Sequence, residues 1–243
     1  GVAYIEFTFD GSKLEVGKEY PINIKLSEAD ASNYGTYDAT FTIIIPEPWF
    51  PYGATEDDST GIYFDDFLAG MFDDPSYFQG AGTYVKFERS GLNENVIRTV
   101  DLFSKESVAF MMGGLPDWLA FTATGHTYIP FDISNPDNVI LLGEQEQIKE
   151  GLIINYVPIY INMTLSDGSN YDLALGQYIV EGQTEPIKLE NGIIKFPTDA
   201  SIVLGALSGG KYMGYMYEAN PTGFMQLYLP GTEYVDYNMI ATY

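Results

Sequence analysis

The chain has 243 residues, 46% of them hydrophobic and 19% charged, a balance that builds a packed core and not a disordered tail. Its formal net charge is −23, from 34 acidic against 11 basic residues, and such a surface repels both phosphate backbones and anionic lipid headgroups. That argues against nucleic-acid binding, and the absence of cysteine excludes disulfides, thiolate metal sites and cysteine nucleophiles.

Tyrosine (20) and phenylalanine (15) are abundant, and both favour pleated, half-buried surfaces. Strand alternation begins at residues 2–9 and closes on Asp10-Gly11, a turn pair. Because the alternation follows directly on Gly1, a trimmed N-terminus is expected, with any signal or lipid-attachment segment lying before residue 1. Residues 20–26 and 37–45 alternate next, and Pro46-Glu47-Pro48 then stops the sheet, since proline cannot donate to a ladder. This is the clearest boundary in the chain.

Beyond it, strands are expected at 61–64, 83–88, 95–100, 128–133, 139–142, 152–156 and 159–165. Asn191-Gly192 between two short apolar runs is the strongest hairpin signal, and strands near 213–217 and 224–229 follow. Residues 65–72 and 105–112 offer two short helices, neither long enough to stand without tertiary support. The pattern predicts an all-β protein: an Ig-like β-sandwich part over 1–48, then a larger antiparallel β-sandwich or barrel-like domain over 49–243. No apolar run reaches the roughly 18 residues of a membrane span.

Several motifs carry a resemblance. Leu26-Ser27-Glu28-Ala29-Asp30-Ala31-Ser32, Tyr34-Gly35, Ala39-Thr40-Phe41-Thr42-Ile43 and Pro46-Glu47-Pro48-Trp49 resemble the closing strands of an Ig-like or Calx-β-like domain. Such domains occur in uncharacterised surface lipoproteins of Bacteroides-type gut anaerobes, where a Gly-x-Gly-x-Tyr-x-Asp-Asp-Phe/Leu element follows. Here Thr60-Gly61-Ile62-Tyr63-Phe64-Asp65-Asp66-Phe67-Leu68 is similar, with Thr60 in place of the first glycine. The resemblance implies an extracellular face of the cell envelope or the periplasm, a lipid anchor outside this chain as the only membrane contact, and glycan handling. It implies for residues 1–48 either a compact domain or the truncated tail of one, and it brings no catalytic residues with it.

Candidate site residues come from chemistry alone. Trp49 and Tyr52 cluster after the proline boundary, Tyr77 and Phe78 sit in a glycine-flanked loop, and Trp118 follows a Gly-Gly-Leu-Pro-Asp loop. A pyranose stacks its C–H face on such rings, so these are the expected glycan platform. Asp57, Asp58, Asp65 and Asp66 flank a turn and offer the hard oxygen ligands a structural calcium takes; no other cofactor is expected. His126 is the sole histidine, set in a Thr-Gly-His-Thr loop with no nucleophile-elbow sequence anywhere, and reads as a solvated loop residue. The expected function is a non-enzymatic binding module, its partner a glycan. The alternative is an assembly component that docks another envelope protein, and the lesser alternative a glycoside hydrolase using two carboxylates.

Overall fold

The computed structural model describes residues 8, 10, 13–25, 38–53, 55, 57–65, 82–111, 114–115, 117–121, 125–180, 184–220 and 225–233. The chain is all-β and divides into two compact units, residues 1–48 and 49–243. In the first unit β1 (Glu19–Lys25) and β2 (Asp38–Ile44) pair antiparallel, Glu19 opposite Ile44 and Lys25 opposite Asp38. The strand expected at 2–9 falls almost entirely outside the described residues.

The second unit holds two antiparallel sheets. The nine-stranded sheet contains β3 (Trp49–Pro51), β4 (Thr60–Phe64), β5 (Gly82–Ser90), β6 (Val96–Val100), β8 (Tyr128–Asp132), β9 (Ile140–Leu141), β13 (Lys188–Glu190), β14 (Ile193–Lys195) and β17 (Gln226–Tyr228). Its order is β13-β14-β17-β4-β5-β6-β8-β9, with β3 beside β5. The six-stranded sheet contains β7 (Leu119–Phe121), β10 (Glu144–Lys149), β11 (Leu152–Thr164), β12 (Asn170–Ile179), β15 (Ile202–Ser208) and β16 (Lys211–Glu218). It runs β10-β11-β12-β15-β16, and β7 pairs the far end of β11.

One apolar core joins the two sheets. Alternate residues of the nine-stranded sheet, among them Tyr63, Val85, Phe87, Ile97, Ile129 and Phe131, meet Val157, Ile159, Ile161, Met163, Leu173, Leu175 and Leu204 of the six-stranded sheet. This is period-2 patterning turned into a sandwich. Polar staples cross the same core: the buried Gln177 accepts the Leu141 N–H (2.8 Å) and donates to the Val139 carbonyl (3.2 Å), and Asn155 donates to the Leu141 carbonyl (3.0 Å). They satisfy the backbone of the short edge strand β9 from the opposite sheet. A second, smaller cluster on the other face of the six-stranded sheet gathers Ile154, Tyr156, Ala174, Val203, Leu207 and Tyr212.

Three departures from regular geometry matter. The Asn191-Gly192 turn joins β13 to β14 with φ of 53° and 79°, the two positive values of a type I′ hairpin. Residues 152–156 and 159–165, expected as two strands, are one strand, β11, kept continuous across Pro158 by a bulge between Pro158 and Asn162. Tyr160 stands in that bulge with φ of 56°. Asp101, directly after β6, has φ of 58°. Of the short helices, α1 (Lys105–Met111) forms within the expected 105–112, whereas the 65–72 segment lies outside the described residues apart from Asp65. No helix among the described residues is long and apolar enough to cross a membrane.

Candidate functional site

The aromatic candidates sit in packed settings. Trp49 pairs its backbone with Ser90 and lies under Arg98, whose guanidinium carbon is 4.1 Å from the Trp49 ring centre and 3.7 Å from that of Tyr128. The same guanidinium holds Glu88 at 2.6 Å. Trp49 is thus one plate of a ring–cation–ring stack on the outer face of the nine-stranded sheet. Tyr52 and Trp118 are both half-buried against the main core, Tyr52 with its ring 6.5 Å from that of Phe87. Tyr77 and Phe78 lie outside the described residues.

The acidic candidates are spread along a strand. Asp57 and Asp58 are exposed in a 3-10 turn (Asp57–Ser59), with Asp58 accepting the Thr55 hydroxyl at 2.8 Å. Asp65 is buried at the opposite end of β4, where it accepts the Tyr63 hydroxyl at 2.5 Å. Burial first, and then the Asp65 charge and hydrogen bond, push the Tyr63 hydroxyl well above its ordinary range. At about 3.3 Å per residue, β4 separates Asp58 from Asp65 by roughly 20 Å, beyond the reach of one shared ion. Asp66 lies outside the described residues, and among those described no group of three or more His, Asp or Glu is arranged to hold a metal.

The geometry instead assembles a site from segments that no local sequence signal joins. A cavity of about 230 Å³ opens where β6 leaves the nine-stranded sheet and β8 enters it. Its walls come from the turn at Asp101, Phe103 and Ser104, the start of α1 (Lys105 and Glu106), the last residue of β7 (Phe121), Gly125 and Thr127 before β8, and the β11 bulge at Ile159 and Tyr160. Among the described residues, both non-glycines held at positive φ outside the Asn-Gly hairpin, Asp101 and Tyr160, line it. Aspartate tolerates this region, but a tyrosine there is a true outlier, and each such residue costs about 1–3 kcal/mol. The strain is concentrated on one cavity.

Hydrogen bonds fix the polar wall. Asp101 and Thr127 are tied reciprocally, the Asp101 N–H to the Thr127 carbonyl (2.7 Å) and the Thr127 N–H to Asp101 Oδ1 (2.8 Å). Asp101 Oδ2 is 2.6 Å from Nδ1 of His126. His126 is 67% exposed, as a loop histidine should be, but the carboxylate partner that fixes its ring has no signature in the sequence around it. Ser104 caps α1: its hydroxyl donates to Ser107 Oγ (2.9 Å) and accepts the Ser107 N–H (3.1 Å). Thr127 is only 6% exposed, and its Oγ1, closed off from solvent, has no hydrogen-bond partner, as is also true of the Thr83 and Thr99 hydroxyls. Apolar surface completes the site from Phe103, Phe121 and Ile159, and Tyr160 stands at the mouth, 45% exposed.

No family model, no curated protein and no solved structure matches the chain. The function of the site must therefore be sought in its own chemistry.

Proposed function

We propose that this chain is a non-enzymatic binding module of the extracellular face of a bacterial envelope, and that it captures one small polyhydroxylated unit, a sugar of a glycan, in the Asp101–Thr127–Tyr160 cavity. The observation that carries this is a cavity walled by Tyr160, held at positive φ against its preference, and by Asp101, also at positive φ and with its carboxylate fixed by hydrogen bonds. Strain of this kind persists only where surrounding structure enforces it, and it clusters at ligand sites. The volume of about 230 Å³ lies below the roughly 300–1,000 Å³ of drug-sized sites, which suits a single ring. Apolar faces beside a few fixed polar groups match a pyranose, whose C–H face stacks on rings while its hydroxyls bond to carboxylate and hydroxyl. The cellular location rests on the lipoprotein resemblance of the motifs around Pro46 and Thr60.

The second reading is an assembly component that docks another envelope protein. It is favoured by the packing of Trp49 beneath Arg98 and of Trp118 against the core, which removes the two largest rings from any open platform. A glycan array and affinity gels with host and plant polysaccharides separate the two. Retention on at least one neutral glycan is expected, and blank results throughout would leave the assembly role standing in its place.

A further inference from the structure

Resting on the cavity as the ligand site, we infer that its ligand carries a protonated primary amine, as an amino sugar does, and that acidic sugars are excluded. Donors and acceptors are unevenly distributed over the wall. Ionised carboxylates only accept hydrogen bonds, and the cavity wall contains two, Asp101 and Glu106. Against these the wall offers one ammonium donor, Lys105, and that residue lies exposed at the first position of α1. The Ser104 hydroxyl is committed to the helix cap. A surface rich in acceptors is matched by a ligand rich in donors, and an ammonium group is donor only.

Charge points the same way. Two carboxylates against one lysine leave the wall negative, and the chain as a whole carries −23. A cation is drawn toward such a cleft and a carboxylated or sulfated sugar is repelled. The rings of Phe121 and Tyr160 attract an ammonium through their π-faces as well. Asp101 is held in place to receive it, because its oxygens take the Thr127 N–H and the His126 ring, which fix the carboxylate while leaving further lone pairs for a ligand.

Calorimetric titration of the full chain tests this with four probes: methyl glucosaminide, methyl glucoside, methyl N-acetylglucosaminide and methyl glucuronide, at low and high ionic strength. The amine is expected to bind about tenfold tighter than the neutral glucoside at low salt, the glucuronide weakest, with the preference shrinking as salt screens the carboxylates. In Glu106→Gln, checked for an unchanged melting temperature, the amine-to-neutral ratio should fall several-fold. Equal binding of amine and glucoside, or tighter binding of the glucuronide, overturns the inference and leaves the binding module intact. No binding of any of the four overturns the binding reading itself.

Discussion

At the scale of single residues, the Thr127 hydroxyl is buried without a partner. A buried hydroxyl without a partner costs its desolvation, about 1–3 kcal/mol, and gains nothing in the free protein. Thr127→Val keeps the shape and removes the hydroxyl, so the folded protein should be as stable as wild type or more stable by about 1 kcal/mol. Thermal melts check this. A variant clearly less stable than wild type would show that the hydroxyl has a partner. Two buried tyrosines give a second test. Burial, and then the hydrogen bond to Glu144 (2.8 Å), push Tyr156 from its ordinary 10 up to about 12. Burial and the Tyr178 hydroxyl push Tyr212 up further. The raised values stabilise the fold fully below about pH 10, and that contribution is lost as pH rises through 12. Ultraviolet titration of tyrosine ionisation should therefore show a late-ionising class whose onset coincides with alkaline unfolding.

The site is poorly legible in sequence at this scale, and the reason is physical. Large rings in loops are the visible candidates, but the size that suits Trp49 and Trp118 for stacking on sugars suits them equally for covering a guanidinium and a core. The residues that do assemble belong to four segments between Asp101 and Tyr160, joined only by tertiary structure. Positive φ at Asp101 and Tyr160 leaves no mark in sequence, unlike Asn191-Gly192, whose residue types are themselves the signal.

At the scale of elements, strands with one wet face are the most legible. β1, β2, β5 and β6 alternate, and the pattern places their ends within a residue or two. β12 and β15 escape it because they are central in the six-stranded sheet and have apolar clusters on both faces. Ile202 to Leu207 are all buried, and burial on both sides erases period 2. β10 escapes for the opposite reason: Glu-Gln-Glu-Gln is an exposed sheet edge, where polar residues block unwanted pairing and no apolar signal survives. β3, three residues long, is kept on β5 by the Trp49–Arg98–Tyr128 stack and the Glu88 ion pair. Arg98→Ala should destabilise the unit by about 2 kcal/mol, and Arg98→Lys should recover little, because a point charge cannot lie flat between two rings. Hydrogen exchange at Tyr52, whose amide bonds to the Phe87 carbonyl (3.0 Å), should accelerate in both variants. Unchanged protection there would show that β3 is held by its ladder alone.

At the scale of the molecule, the fold class follows from many short alternating segments punctuated by turn residues, and the antiparallel sheets bear it out. The surplus of acid keeps the outside solvated while one shared core closes the second unit. What would turn this sandwich into a binding module is one end where two sheets and two turns at positive φ leave a cavity with a fixed carboxylate. The most direct measurement is an amide chemical-shift titration of the full chain with methyl glucoside and methyl glucosaminide. Binding in the cavity predicts the largest shifts at Asp101, Ser104, Thr127 and Tyr160, saturating together. Shifts centred on Trp49 and Tyr128, or none at saturating sugar, would contradict it.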